Sequence, residues 1–426
     1  MNYRLTSILL FFVFLINNSL YSQIFDTYGY SNLHSGFDKN KSLIGIDGDY
    51  FYGSTAIKNS LTNSLLSNSF IDDDLKKSSS LANNNKFGNY FQSNIYYASM
   101  GDTLFGVPDL GMRFGMNYYS MQNINFTRDF YNIMFYGNKQ YEDEYADISN
   151  LDINTLTYQS FEFGLFKRFN EKENGYHTVY LGLSLIKGQN YLYLYTNEAH
   201  LYTAPDGEYI DLAINSSYFA SDSIKSDLTT LSGMGASLNF YWAYEDVKHN
   251  SRFEITLTDL GLISWFDNPL NYSADTTIRF NGQEIDDIFN PETGNEISQD
   301  SLLQLIYSDS DNRTFLKSLP KRFQFAYTKR FLNNKYIPTL GMGYFFNSNQ
   351  FMPSIFLNNK LVMSPKLNFD FLFSYGGYTG FSLGLGLGIN IIENLKFNIV
   401  SPNIVGAIIP DKTYSNGAFV GLSYRF

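Results

Sequence analysis

The sequence predicts an all-β fold, a transmembrane antiparallel β-barrel of about 14 strands with a candidate N-terminal plug and a short helical insert at one rim. Large apolar residues alternate with small or polar ones, with a period of two, in many segments separated by turn residues. Aromatic residues make up 18% of the chain although its mean hydropathy is only -0.22. That pairing is typical of strands with one lipid-facing and one wet face. The chain also ends inside such a strand, at Val420 to Phe426, and barrel closure would supply its neighbour.

The first 22 residues have the three parts of a secretory signal peptide. Arg4 gives the positive start, Ile8 to Ile16 form the apolar core, and Ser19 to Ser22 form a polar exit of mostly small residues. The core is well short of the roughly 20 residues that span a bilayer as a helix. We therefore expect cleavage after Ser22, with an uncleaved anchor as the alternative, and residues 23–426 form the predicted barrel domain.

Composition excludes several kinds of site. The chain has no cysteine, which excludes disulfides, thiolate zinc sites and thiol nucleophiles. Its net charge of -11 becomes -12 when Arg4 is removed with the signal peptide, so nucleic acid is not an expected partner. Acidic residues concentrate between the predicted strands, where solvated loops are expected and a calcium site is the alternative. These runs are Asp72 to Asp74, Glu142 to Asp147, Glu284 to Asp287 and Asp309 to Asp311.

The alternation is clearest near the carboxyl terminus. In Phe381 to Ile391 every odd position is large and apolar, while the even positions are Gly, Ser or Asn. A soluble sandwich or propeller also alternates, but its wet face is usually rich in Lys, Glu and Thr. The small residues here favour a barrel with a crowded or plugged lumen. Similar segments are Leu110 to Tyr118, Phe161 to Phe169, Val179 to Lys187, Tyr191 to Thr196, Leu231 to Tyr244, Phe253 to Thr258, Phe323 to Phe331, Leu340 to Phe346, Leu367 to Tyr375 and Leu395 to Ile399.

Two segments interrupt this rhythm. Residues 54–85 are rich in Ser and Asn and contain a weak helical pattern, so they are the candidate plug. Residues 285–319 form the predicted rim insert, in which Ser298 to Ile306 has the features of a short helix capped by Ser298.

Glycine-rich and aromatic segments recur in order along nearly the whole mature chain. They are Tyr136 to Asn138, Tyr158 to Phe169, Tyr180 to Gly188, Thr258 to Trp265, Leu319 to Tyr327, Tyr375 to Gly388, Asn403 to Pro410 and the closing strand. Together they resemble the Bacteroidota outer-membrane β-barrel family of unknown function (DUF5723-like), which is distantly similar to fatty-acid transporter barrels and type IX secretion shuttle barrels. The resemblance implies a barrel in the cell outer membrane and carries no catalytic or binding residues. The Asn-Pro-Ala signature of the fatty-acid transporter group is absent from residues 23–50.

No residue cluster specifies a reaction, so we predict a non-enzyme with no catalytic residues, no metal ligands and no cofactor. The histidines His34, His177, His200 and His249 are far apart and lack the i, i+4 spacing of helical metal ligands. The glycines of Gly376 to Gly388 recur within a strand, whereas a dinucleotide-binding loop opens a helix. A barrel enzyme acting on lipids stays open as an alternative.

Aromatic and basic residues are the remaining candidates. Tyr191, Tyr193 and Tyr195, with Tyr202 nearby, predict an interfacial girdle, and a sugar-stacking or lipid-entry platform is the alternative. The basic residues are expected at the headgroup rim or in the lumen, where a convergent set would favour anionic solutes or fatty acids. They are Arg113, Lys167, Arg168, Lys187, Lys321, Arg322, Lys329, Arg330 and Arg425.

Two functions follow from these observations. The first is a non-enzymatic outer-membrane barrel that transports or binds a small hydrophobic or amphipathic solute through a plugged lumen. The alternative is a structural or partner-docking barrel of a secretion or surface-assembly complex. The expected partners are outer-membrane lipid, with a hydrophobic small molecule in the first case and secretion-machine proteins in the second.

Overall fold

The computed structural model describes residues 41–101, 103–172, 174–221, 228–281, 310–311, 313–347 and 350–426. The predicted signal peptide, residues 1–22, and the predicted rim helix, residues 298–306, lie outside these ranges.

Antiparallel strands make up most of the described chain. They are β1 (Lys41–Ser54), β2 (Asn84–Met100), β3 (Thr103–Leu104), β4 (Val107–Pro108), β5 (Leu110–Thr127), β6 (Glu144–Asp147), β7 (Asp152–Lys172), β8 (Gly175–Thr203), β9 (Ile210–Ala220), β10 (Gly233–Asp246), β11 (Ser251–Trp265), β12 (Leu270–Phe280), β13 (Ser310–Asp311), β14 (Phe315–Ser318), β15 (Lys321–Lys329), β16 (Tyr336–Asn347), β17 (Gln350–Ser364), β18 (Leu367–Gly376), β19 (Thr379–Ile392), β20 (Leu395–Ser401) and β21 (Ser415–Arg425). The α-helices in the described ranges are α1 (Asn59–Leu66), α2 (Asp73–Lys77), α3 (Arg128–Tyr136) and α4 (Ile404–Ile408). Short 3-10 helices lie at Lys139–Tyr141, Pro205–Gly207 and Pro410–Lys412.

Fourteen of the strands form a closed barrel, which confirms the predicted fold class. Each of them pairs antiparallel with its neighbours in chain order, and the last pairs with the first. In that closing pair Ile46 lies opposite Leu422, so the C-terminal strand has a partner on both edges. The barrel strands are β1, β2, β5, β7, β8, β10, β11 and β15 to β21.

The two faces of the wall differ as the alternation predicts. On β19 the odd-numbered Phe381 and Leu385 are exposed on the outside, while Ser382 faces the lumen and is buried. Leu181, Leu183 and Leu185 of β8 are likewise exposed. Outward apolar side chains of this kind form the apolar band of a membrane-spanning barrel. No helix among the described residues is long and apolar enough to span a bilayer.

The two ends of the barrel differ in their connections. We call one the turn end, because it joins strands through short connections such as residues 247–250, 365–366 and 393–394. β1 begins and β21 ends there, since Ser42 and Phe426 exchange backbone hydrogen bonds. The opposite end is the loop end, and it carries the long connections between β1 and β2, between β5 and β7, and between β8 and β10.

At the loop end, some strands extend beyond the closed barrel. β8 is 29 residues long, and its first half pairs with β10 while its second half pairs with β9. β9 in turn pairs with β12, so β5, β7, β8, β9 and β12 form a sheet that extends beyond the barrel. The extension brings the inward face of β7 and β8 over the lumen.

The candidate plug, residues 54–85, contains α1 and α2 and lies at the loop end. Leu61 of α1 is fully buried in an apolar cluster with Phe126 and Ile153. The Asn59 side chain donates hydrogen bonds to the Ser415 carbonyl over 2.7 Å and to Thr413 Oγ1 over 2.9 Å. Residues 54–85 are thereby tied to the extended sheet on one side and to the start of β21 on the other.

Candidate functional site in the barrel lumen

Side chains from many strands meet in an apolar layer across the loop-end half of the lumen. Most of these residues are aromatic and all are buried, so the barrel is filled at this level by its own side chains. We call the following set the aromatic layer: Phe51, Tyr90, Tyr119, Tyr158, Tyr191, Tyr193, Trp265, Phe345, Tyr378 and Phe419.

The rings of the aromatic layer contact one another across neighbouring strands. The ring centroids of Tyr90 and Tyr119 are 5.3 Å apart, and those of Tyr119 and Tyr158 are 5.0 Å apart. Trp265 stacks on Tyr191 with centroids 5.3 Å apart and an interplanar angle of 25°. Such distances lie within the range of favourable aromatic pairs, about 4.5 to 7 Å. The layer is therefore a continuous aromatic surface.

Tyr378 enters this layer from the turn between β18 and β19. A Cβ atom placed on Gly88 would lie 2.3 Å from Tyr378 Cζ. Glycine at position 88 leaves room for that ring, which reaches from the β18–β19 turn to the inner face of β2.

Several polar atoms within or beside this layer have no hydrogen-bond partner among the described residues. They include Trp265 Nε1, the Tyr378 hydroxyl and both carboxylate oxygens of Asp152. Buried polar groups in native proteins are nearly always hydrogen-bonded, to the protein, to water or to a ligand. Their location therefore indicates where such a molecule would bind.

Asp152 is the carboxylate among these three residues. It opens β7 and lies opposite Asn125 of β5 and Tyr195 of β8, with only 2% of its surface exposed. The exposed apolar face of β7 begins at Phe161. At about 3.3 Å per residue, Asp152 lies roughly 30 Å from Phe161 along the strand, outside that apolar face. Burial raises the pKa of Asp152 to about 6. Burial, and then the Asp152 charge, raise the pKa of Tyr193.

Toward the turn end the lumen becomes polar, and several of its groups are hydrogen-bonded to one another. The Tyr90 hydroxyl donates to Asp49 Oδ2 over 2.8 Å, and Asn94 Nδ2 donates to Asp47 Oδ1 over 2.6 Å. The Arg322 guanidinium lies 4.9 Å from the Tyr90 ring centroid. A hydrogen-bonded polar layer thus lies next to the aromatic layer, on its turn-end side.

A charged cluster lies closer to the turn end, on β10, β11 and the residue after β15. Arg252 Nε lies 3.1 Å from Glu254 and 3.9 Å from Glu245. Glu245 also pairs with Arg330, and Arg252 donates a hydrogen bond to the Tyr241 hydroxyl over 2.7 Å. These contacts hold both acids and both bases in one network.

The girdle predicted from the tyrosine cluster is wrong for Tyr191 and Tyr193. Both rings are buried on the inward face of β8, and Tyr195 packs partly buried against them. Tyr202 lies apart, with its ring centroid 5.0 Å from that of Tyr145. Three of the four tyrosines therefore belong to the lumen.

Of the basic residues predicted at the headgroup rim or in the lumen, some face the lumen and others the outside. Arg113 is buried in the lumen with its guanidinium 4.5 Å from the Tyr96 ring centroid. Arg322 donates to Gln92. Lys187, by contrast, donates to the Leu228 carbonyl on the exposed side. The lumen-facing cations contact rings, amides and acids.

The histidines are separated in space as in sequence. His34 lies outside the described residues, and the others have unrelated neighbours. The ring neighbour of His177 is Tyr244, while His200 and His249 face Asp147 and Asp246. In the part of the chain that the structure covers, His, Asp and Glu residues form no group of three that could hold a metal ion.

Sequence comparison identifies one family. The model described as "Family of unknown function (DUF5723)" matches residues 44–399. No curated protein sequence matches the chain.

Several solved structures are similar in backbone architecture. The toluene transporter TodX of P. putida is 8% identical with a TM-score of 0.42, over 92% of this chain and 91% of that chain. The toluene transporter TbuX of Ralstonia pickettii is 8% identical with a TM-score of 0.44, over 92% and 90%. A FadL homologue of Pseudomonas aeruginosa is 6% identical with a TM-score of 0.40, over 91% and 90%.

Proposed function

This chain belongs to DUF5723, a family of unknown function, and we propose that it is a non-enzymatic outer-membrane barrel that binds or transports a small hydrophobic or amphipathic solute. The Bacteroidota affiliation and the similarity to type IX secretion shuttle barrels stay predictions.

The aromatic layer is the observation that carries the proposal. Aromatic faces such as those of Tyr191 and Trp265 offer an apolar solute large contact areas in a few defined geometries. The unpartnered Trp265 Nε1 and Tyr378 hydroxyl, together with Asp152, supply the few polar groups that orient a ligand in such a site. An amphipathic solute would satisfy both kinds of surface.

The charged cluster near the turn end supports a non-enzymatic role. A general acid or base needs a proton-transfer group placed against a substrate. Here Arg252 and Arg330 hold Glu245 in ion pairs, and Arg252 holds Glu254 as well. These contacts are better explained as charge balance inside the barrel wall.

The test is native mass spectrometry of the protein extracted gently from outer membranes. We expect a bound hydrophobic or amphipathic small molecule in the native chain and its loss in Trp265→Leu, which truncates the aromatic layer. Trp242→Leu is the matched control, because Trp242 faces outward on β10, where its ring lies 5.8 Å from that of His177. Heat-modifiable migration on gels confirms that both variants are folded.

A second function is favoured by one other observation. Phe70, in the loop-end segment 54–85, is 88% exposed, and Ile408 of α4 is 70% exposed at the same end. Exposed apolar side chains on elements held by hydrogen bonds suit the docking of a protein partner. A stoichiometric protein partner lost in Phe70→Ser, with no small molecule bound, would favour this docking role and contradict solute binding.

A further inference from the structure

Asp152 is a carboxylate buried without a partner. It is 2% exposed, and neither of its oxygens accepts a hydrogen bond within the described residues. Removing an ionised carboxylate from water without compensation is among the most costly arrangements in a protein. We therefore expect the hydrogen-bond partner of Asp152 to be a bound molecule.

The groups around Asp152 are acceptors and aromatic rings. Its cross-strand neighbour Asn125 has a buried side-chain oxygen that is also unpartnered in the described residues. From β8, Tyr191 and Tyr193 lie close enough for its charge to act on both, and from the β18–β19 turn Tyr378 does the same. Burial raises the pKa of Asp152, and neither carboxylate oxygen accepts a hydrogen bond from a charged side chain in the described ranges.

Lys317 is a cation near one of these tyrosines, and its ammonium group lies against aromatic rings. Its Nζ lies 3.4 Å from the Phe219 ring centroid and 5.1 Å from that of Tyr193. Lys317 makes no hydrogen bond to Asp152, since neither carboxylate oxygen accepts one from the described residues. The negative charge of Asp152 is thus uncompensated by the side chains that face it.

We propose that the lumen beneath the loop-end extension binds an organic cation, a hydrophobic primary amine or quaternary ammonium compound, with its charged group at Asp152 and Asn125. This rests on the proposed function and names its class of solute. A primary ammonium group would donate hydrogen bonds to the free oxygens, and a quaternary one would pair with Asp152 by charge alone. Both would gain cation–π attraction from Tyr191 and Tyr193. The apolar body of the ligand would lie against the stacked rings of Trp265 and Tyr191. A carboxylate ligand would be repelled by Asp152 at the same place.

Trp265 provides an optical reporter for this site. The chain contains two tryptophans, so Trp242→Phe leaves Trp265 as the only one. In that background, reconstituted in nanodiscs of neutral lipid, fluorescence is titrated with phenethylamine, 2-phenylethanol and phenylacetate. These probes share a phenyl group and carry a positive, a neutral and a negative group.

We expect saturable binding of phenethylamine at pH 8, at least tenfold tighter than 2-phenylethanol, with phenylacetate the weakest. Asp152→Asn should remove that preference, whereas Asp411→Asn, an exposed loop-end control, should leave it unchanged. Binding of phenethylamine should weaken about tenfold between pH 7 and pH 5, as Asp152 becomes protonated.

Two results would overturn the inference. If the three probes bind alike, or Asp152→Asn keeps the preference for phenethylamine, the cation site is wrong and hydrophobic solute binding stands. If no probe gives a saturable change in fluorescence, both the cation site and the proposed solute binding fail.

Discussion

Trp265 reaches Tyr191 across two strands, and a pair of glycines makes the contact possible. Gly188 of β8 and Gly233 of β10 lie opposite each other, and Gly233 also lies opposite Trp265 of β11. A Cβ atom would lie 2.8 Å from the indole ring at Gly188 and 2.9 Å from it at Gly233. The indole therefore lies flat over the two glycines and ends against the Tyr191 ring.

Filling this space should destabilise the barrel. We expect Gly188→Ala to lower the free energy of unfolding by about 1 to 3 kcal/mol, because overpacking a filled core has that cost. Gly48→Ala is the control, since a Cβ atom at Gly48 meets no atom within 4 Å. Urea unfolding in detergent measures both variants, and equal stability of the two would contradict the packing described for Trp265.

The aromatic layer should also set the conductance of the barrel. Trp265→Ala removes a fully buried ring from the aromatic layer on the inner face of the barrel. We expect it to raise single-channel conductance in a planar bilayer severalfold and to lower stability by about 3 to 5 kcal/mol. Trp242→Ala, which changes the outer face, should leave conductance unchanged. A conductance that stays at the native level in Trp265→Ala would show that the lumen is closed elsewhere.

The alternation of the sequence was sufficient to predict the barrel but not the orientation of the tyrosine cluster. On β8 the odd-numbered Leu181 and Leu185 face outward, and continuing that alternation places Tyr191 and Tyr193 outward too. The structure has a β-bulge between these segments, where Thr157 and Tyr158 lie opposite Asn190 and Gly188. The extra residue reverses the alternation, so the tyrosines turn inward.

Asp152 illustrates a second limit of sequence reasoning. In the sequence it is one aspartate among many. Its raised pKa results from burial, and the burial results from the sheet extension in which β8 pairs with β7 and β9. That extension depends on residues far apart in the chain. The lumen-facing glycines, by contrast, show in the local alternation of the sequence, and the closure of the barrel shows in its last strand. Both could therefore be predicted from the sequence.

The charged cluster should be far more sensitive to substitution than a surface ion pair. Arg252→Gln removes the ion pair with Glu254 and leaves Glu245 with Arg330 alone. Both acids are largely buried, so we expect a loss of about 3 to 5 kcal/mol in stability. Arg279→Gln breaks an exposed pair with Asp211, 2.7 Å apart, and should cost much less stability, because solvent screens an exposed pair. Thermal unfolding followed by circular dichroism compares them. Similar losses in both variants would contradict the burial of the cluster.

The buried carboxyl of Asp152 should make stability depend on pH in a defined direction. Its pKa is raised from an unfolded value of 3.8 to about 6, so the folded state holds the proton more tightly. Stability from this group is fully present below pH 4 and is lost as pH rises to about 6, by about 3 kcal/mol in total. Asp152→Asn removes this loss, so the variant should gain stability relative to the native chain over that window.

The measurement is the difference in unfolding free energy between Asp152→Asn and the native chain at pH 4, 5, 6 and 7, without added ligand. Taking the difference cancels the contribution of every other titrating group that the substitution leaves unchanged. It should grow with pH up to about 6 and then level off, whereas the same difference for Asp411→Asn should stay flat. A flat difference for Asp152→Asn would mean that the carboxylate is charged and compensated in the folded protein, which contradicts the unpartnered site on which cation binding depends.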